Sequence, residues 1–325
     1  MLSTLRRYSY VAALMTGIAM HGFASPASSK LLSLVPAEAE IVAGIEDPHS
    51  PGSHGRLLLV THNNKLDYSD WVALTSVDSH MRADEVVQVS ASSSRGELTE
   101  HMLLVEGSFN KQRIFNAARQ NGAASMKYKG EEVLSMKPFP REQKEMMDTR
   151  WMAILDNRIS VFGSPLLVQE ALNRHAANAE TGSLFAERIA QLHTDVSSWN
   201  MLVMPAEMLA RHLAPEALHV PWTLILDGAD ELTVGIHYGS TARIDFAAHT
   251  NKEQQPSEVA SLFAQPQMVL ARFSKTPRVR LEGLMVQRNG IQGSVELSGK
   301  QFEAWLEAIS LSSSGTETPD DSKAH

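Results

Sequence analysis

The residues best suited to chemistry lie in one short polar stretch. Asp47, His49, His54 and His62 fall within sixteen positions, inside and just after DPHSPGSHG. Neutral imidazoles and a carboxylate are ligands for Zn²⁺ or Cu²⁺, and a Pro/Gly/Ser-rich loop can bring i and i+5 together. Asp47, His49 and His54 are therefore the candidate metal ligands. The opposing consideration is abundance: the chain has 13 histidines, so clusters of solvated loop imidazoles arise by chance. Three further sets carry charge. Asp67 and Asp70 flank Tyr68-Ser69, where acids suit a helix N-terminus. Asp84-Glu85 and Asp230-Glu231 recur at strand entries. Arg278 and Arg280 alternate with Val279 and Leu281, and Arg288 follows on the same hairpin, the pattern of a solvated sheet face.

Much chemistry is excluded. There is no cysteine, hence no disulfide, thiolate metal site or cysteine nucleophile. The sequence lacks Gly-x-Ser-x-Gly, Gly-x-Gly-x-x-Gly, a phosphate loop and His-Glu-x-x-His. Formal net charge is −8, which gives a nucleic acid no cationic footprint. No catalytic residue and no cofactor is expected. The reading this favours is a non-catalytic binding or interaction scaffold whose partner is a protein or envelope component. The alternative is a periplasmic hydrolase, metal-assisted through the loop histidines.

The elements that would position these residues begin after an export leader. MLSTLRRYSY is basic through Arg6 and Arg7, and VAALMTGIAM (11–20) is apolar but too short to span a bilayer core of ~20 residues. Small residues allow cleavage after Ala24 or Ala27, by the general or the twin-arginine route. Residues 1–24 are thus expected to be removed and the mature protein to be periplasmic or secreted, with no membrane span.

The 325-residue chain then alternates hairpins and helices. AEIVAGI and SSWNMLVMP read as buried strands, each followed by a helical region. Ser69 is expected to cap SDWVALTSV. EVVQVSAS (85–92) and HMLLVEGSF (101–109) form a hairpin, and Asn110 caps KQRIFNAARQN, which Gly122 ends. SMKYKGEEVLSM turns at Lys129-Gly130 and WMAILDNRISVFG at Asp156-Asn157. Ser164 caps and Pro165 starts LLVQEALNRHA, in which Leu166, Leu167 and Leu172 are expected in the core. The same order recurs with a hairpin at 229–252, a turn at Asn289-Gly290 and a helix KQFEAWLEAI after Ser298, with Phe302, Trp305 and Leu306 on its apolar face. The expected fold is α+β: two tandem, divergent copies of a hairpin-rich antiparallel sheet packed with helices, at 25–178 and 179–311. Residues 312–325 lack apolar periodicity and are expected to be disordered.

LVPAEAEIVAGI, KYKGEEVL and LDNRISVFGSPLLVQEAL resemble a group of uncharacterised secreted bacterial proteins of acidobacterial type. The resemblance covers most of the mature chain. Its motifs are structural, so it implies no activity and no site residue.

Overall fold

The computed structural model describes residues 29–46, 68–92, 98–137, 149–178, 184–189, 196, 198–203, 230–238, 240–249, 280–287 and 290–300. The leader, the histidine loop with Asp47, His49, His54 and His62, Asp67, Arg278, Arg288, the helix after Ser298 beyond its first two residues (with Phe302, Trp305 and Leu306) and the C-terminal tail lie outside them.

Twelve strands pair into one sheet. In chain order they are β1 (Ile41–Glu46), β2 (Arg82–Ser92), β3 (Leu98–Ser108), β4 (Ala124–Tyr128), β5 (Glu131–Met136), β6 (Arg150–Leu155), β7 (Ile159–Gly163), β8 (Ser198–Val203), β9 (Glu231–Tyr238), β10 (Thr241–His249), β11 (Arg280–Gln287) and β12 (Gly290–Ser298). Their spatial order is β11-β12-β10-β9-β8-β1-β2-β3-β7-β6-β5-β4, and every neighbouring pair is antiparallel. Among the described residues five short helices accompany it: α1 (Ser29–Ser33), α2 (Tyr68–Thr75), α3 (Lys111–Gln120), α4 (Pro165–Ala176) and α5 (Leu184–Ile189).

This corrects the expected fold class. The molecule is built on one continuous, mostly antiparallel sheet with few helices among the described residues, and it does not resolve into two helix-packed α+β copies. The physical reason lies in β1 and β8. Val42, Ala43 and Ile45, like Trp199, Met201 and Leu202, are buried, so both strands carry buried apolar residues on both faces. Such strands belong in a sheet centre. They join edge to edge, Ile41 opposite Leu202 and Ile45 opposite Ser198, and the Val203 N–H donates to the Glu40 carbonyl at 2.7 Å.

Alternation along the strands sorts the apolar side chains into two layers. Val42, Val87, Val89, Met102, Leu104, Ala153 and Val161 face α1, α4 and α5, whose Leu31, Leu32, Leu167, Val168, Leu172, Phe185 and Ile189 complete that core. Ile45, Val86, Leu103, Val105, Ile154 and Phe162 face α2 and α3, which supply Trp71, Ile114, Phe115 and Ala118. We call these the first and second faces. Leu166 departs from expectation: it is 61% exposed, although Leu167 and Leu172 are buried.

Local punctuation follows its chemistry. Lys129 adopts positive φ in the two-residue β4–β5 loop, and Asp156 and Asn157 do so in the three-residue β6–β7 loop, as tight hairpin turns require. Asn110 Oδ1 accepts from the Arg113 amide at 3.0 Å and Gly122, at φ 89°, follows the end of α3. Ser69 lies inside α2, which begins at Tyr68, so it is not the cap. Asp70 accordingly stands in the first turn. Ser164 precedes α4 but its side chain makes no cap bond.

Candidate functional site

The sequence-derived metal ligands, Asp47, His49 and His54, fall outside the described residues. Among the described residues no group of three His, Asp or Glu side chains is placed to hold a metal ion. Two of the recurring acids have basic partners. Asp84 pairs with Arg82 at 2.5 Å, and Glu231, almost wholly buried, pairs with Arg188 of α5 at 2.8 Å. Arg280 opens β11 opposite Glu296.

The site the structure assembles was not singled out from sequence. It is a polar row crossing the second face of the central strands. Gly163 stands opposite both Trp151 and Met102, which brings the preceding and following residues into line. Arg150 on β6, Ser164 after β7, His101 on β3 and Ser90 on β2 are therefore consecutive across the sheet, and Ile41 and Leu202 continue the row. The Ser164 amide donates to the His101 carbonyl at 2.8 Å. A side chain at Gly163 would strike that same carbonyl, so the close approach of β7 to β3 depends on glycine. Two residues further along the strands, Gln88 and Asn200 flank Ala43 on the same face. Ser198 follows beyond Asn200.

Ser90, His101, Gln88, Ser164, Asn200 and Ser198 are all buried. His101 Nδ1 and Ser90 Oγ are 3.2 Å apart. Burial, reinforced by the nearby Arg150 charge, lowers the His101 pKa to about 4. The imidazole is neutral at pH 7. It resembles a nucleophile–base dyad in outline, but so weak a base suits hydrogen bonding better than proton abstraction. Four buried atoms along this band have no hydrogen-bond partner: Gln88 Nε2, Asn200 Oδ1, Ser198 Oγ and Ser164 Oγ. Leaving a buried polar group unpaired costs ~1–3 kcal/mol.

A second polar field occupies the first face over β9, β10 and β12. Glu231 stands opposite His249, and Asp245 opposite both Gly235 and Ser294. Asp245 accepts from Ser294 Oγ at 2.5 Å and pairs with Arg243 at 3.2 Å. Thr233, between these rows, is buried with its hydroxyl unpartnered, as is His249 Nε2. Burial is the main cause lowering the His249 pKa; Arg188 adds to it and Glu231 opposes it. Here each carboxylate is already matched by a cation, so the field is a structural ion network rather than a vacant cation site.

Comparison with family models, with curated proteins and with solved structures gives no match. The signal that could have found the polar row is in the sequence. EVVQVSAS puts Gln88 and Ser90 where a fully buried strand should be apolar, and SSWNMLV does the same with Ser198 and Asn200. It was legible only once the strands were known to be central.

Proposed function

We propose that the chain is an exported, non-catalytic scaffold that binds a polar component of the cell envelope on the second face of its central strands. One observation carries this reading: four buried, unpartnered polar atoms lie on one face of the run of neighbouring strands β7-β3-β2-β1-β8, contributed by Ser164 at the end of β7, Gln88 of β2 and Asn200 and Ser198 of β8. Gln88 Nε2 offers a donor and Asn200 Oδ1 an acceptor on either side of the small Ala43. A ligand that supplies the complementary groups recovers the desolvation cost of both. The basic leader with its short apolar stretch supports delivery to the periplasm or exterior. Among the described residues no helix is long and apolar enough to cross a membrane.

The test uses the mature protein and two variants, Gln88→Met and Asn200→Leu, which keep volume and remove the amides. Melting temperature is recorded against a panel of small amides, polyols, carboxylates and phosphate esters. A ligand-dependent rise in wild type that both variants lose is expected. Variants that are simply ~1–3 kcal/mol more stable, with no ligand response in any form, would reduce the band to a packing cost and remove the reading. Recovery of mature protein from the native host beginning at Ser25 or Ser28 is expected, and Met1 on a soluble cytoplasmic form would remove the export claim.

A further inference from the structure

Gln88 and Asn200 stand on either side of a single small residue. Ala43 of β1 is directly opposite Gln88 of β2 on one side and Asn200 of β8 on the other. Directly opposed residues share a face, so the three side chains form one line. The strands that carry the two amides are two spacings apart, about 9.5 Å. Along β1 the same face bears Ile41 two residues before Ala43 and Ile45 two residues after it. All five residues are at least 95% buried. Together they make a notch with a methyl floor at Ala43, isoleucine walls and an amide at each end.

The free atoms at the two ends differ in kind. At Gln88 the Nε2 donor lacks a partner, and at Asn200 the Oδ1 acceptor does. The two are complementary and still do not bond, although one direct hydrogen bond would satisfy both. A group that closes this gap needs an acceptor towards Gln88 and a donor towards Asn200. A carboxylate offers acceptors only, and would leave Asn200 Oδ1 facing another oxygen. No charged residue adjoins the line either: it continues to Leu103 beyond Gln88 and to Val234 beyond Asn200. A trans secondary amide is neutral and carries its C=O and N–H on opposite sides of one plane. With a hydrogen bond of about 2.9 Å at each end it spans roughly 8 Å from donor to acceptor. That length fits between side chains standing perpendicular to strands about 9.5 Å apart.

We propose that this notch binds a secondary amide, the group shared by a peptide bond and an N-acetyl sugar, its carbonyl accepting from Gln88 Nε2 and its N–H donating to Asn200 Oδ1. The inference rests on the binding reading above and names the group that the scaffold recognises. Ser198, two residues from Asn200 on the same face and also unpartnered, offers a hydroxyl to a further polar substituent.

The experiment titrates the full mature chain with N-methylacetamide and with N,N-dimethylacetamide, followed by NMR. The second probe keeps the carbonyl and replaces the N–H by a methyl group. Saturable binding of N-methylacetamide, about tenfold tighter than that of the tertiary amide, is expected. Asn200→Leu should abolish the difference between the two probes, and Gln88→Met should weaken both alike. The comparison of the two probes in wild type stands even where a variant fails to fold. N-acetylglucosamine and N-acetylalanine methylamide then distinguish the sources: the tighter of the two assigns a sugar acetamido group or a peptide. Equal affinity for the two acetamides in wild type, shifts that never saturate, or a preference that persists in Asn200→Leu would overturn the proposal. If the amides fail while a polyol or phosphate ester raises the melting temperature of wild type and not of the variants, the amide assignment falls and the binding reading survives. If no ligand of any class acts, both fall.

Discussion

The same face of one sheet is apolar over β2, β3 and β7 and charged over β9, β10 and β12. On the first side, Val87, Val89, Met102, Leu104 and Val161 pack under α1 and α4. On the other, Glu231, Thr233, Asp245 and His249 occupy the equivalent inward positions and are just as buried. The second face of β9 and β10 stays apolar, with Ile236 and Ala242 at its centre and Val234, Ile244 and Leu297 beside them. Burial alone therefore does not decide which residues a strand may carry. An apolar side chain gains from leaving water whatever its neighbours, whereas a buried carboxylate is tolerated only where a cation or donor meets it. The first region can be held by packing. The second must be held by pairing, and the two should fail differently.

The largest effect is expected from removing a packed anchor on the N-terminal side. Trp71 of α2 is fully buried, lies edge-on to Phe109 with centroids 5.9 Å apart, and donates from Nε1 to Ser160 Oγ at 2.9 Å. Trp71→Ala should cost about 3–5 kcal/mol in chemical denaturation, combining a cavity with a stranded Ser160 hydroxyl. Trp71→Phe should separate the two, restoring most of the packing and none of the bond. A loss under about 1 kcal/mol for the alanine variant would mean that α2 is not integral to this core.

Next comes acid. The His101 pKa of about 4 in the fold lies below the ordinary value of 6.5, so the unfolded chain takes up the proton first. The stabilisation is complete above pH 6.5 and is lost as pH falls from there towards 4, by up to ~3 kcal/mol. His249 is shifted in the same direction and adds to the loss. Denaturation midpoints measured between pH 7 and 4.5 should fall in wild type and fall less steeply in His101→Gln. Parallel slopes in the two proteins would show that His101 is not held neutral by burial.

The charged region is expected to respond to pairing rather than to volume. Arg188→Met leaves Glu231 buried without its cation. A fully buried broken pair costs about 3–5 kcal/mol, and because the Arg188 side chain is 22% exposed the expected loss is nearer 2. Arg188→Met combined with Glu231→Leu should recover most of it, since an apolar pair of similar size needs no partner. A double variant as unstable as the single would mean that the ion pair itself, and not the stranded charge, holds β9 to α5.

These contrasts also explain what the sequence disclosed. The hairpins at 85–109, 124–136 and 150–163 were legible because turn residues and alternation are local. Lys129-Gly130 and Asp156-Asn157 could be read directly as hairpin turns, the second lengthened by Arg158, and the paired strands are where they should be. The single sheet was not legible, because pairing of Ile41 with Leu202 joins residues far apart in the chain and leaves no local mark. AEIVAGI and SSWNMLV read locally as buried strands, but that both are central follows only from their pairing with each other. The site suffered from the same gap. Histidines clustered in a polar loop stand out by local spacing, whereas His101 sits in HMLLVEGSF and passes for a solvated strand residue until Ser90 and Ser164 are set beside it.

The smallest effect expected separates two helix starts that look alike in sequence. Asn110 before α3 and Ser164 before α4 are both residues that favour the cap position. Asn110 fills it: its side chain accepts from Arg113 N–H, and its own amide donates to Asp78 Oδ2 at 2.8 Å, fixing the entry to the helix from both sides. Asn110→Ala should therefore cost about 1 kcal/mol, read as a shift in the urea midpoint with unchanged slope. Ser164 makes no such bond, so Ser164→Ala removes a buried hydroxyl that has no partner. It should be neutral, or stabilising by a few tenths of a kcal/mol, in the absence of ligand. Equal losses at the two positions would mean that Ser164 caps α4 in solution.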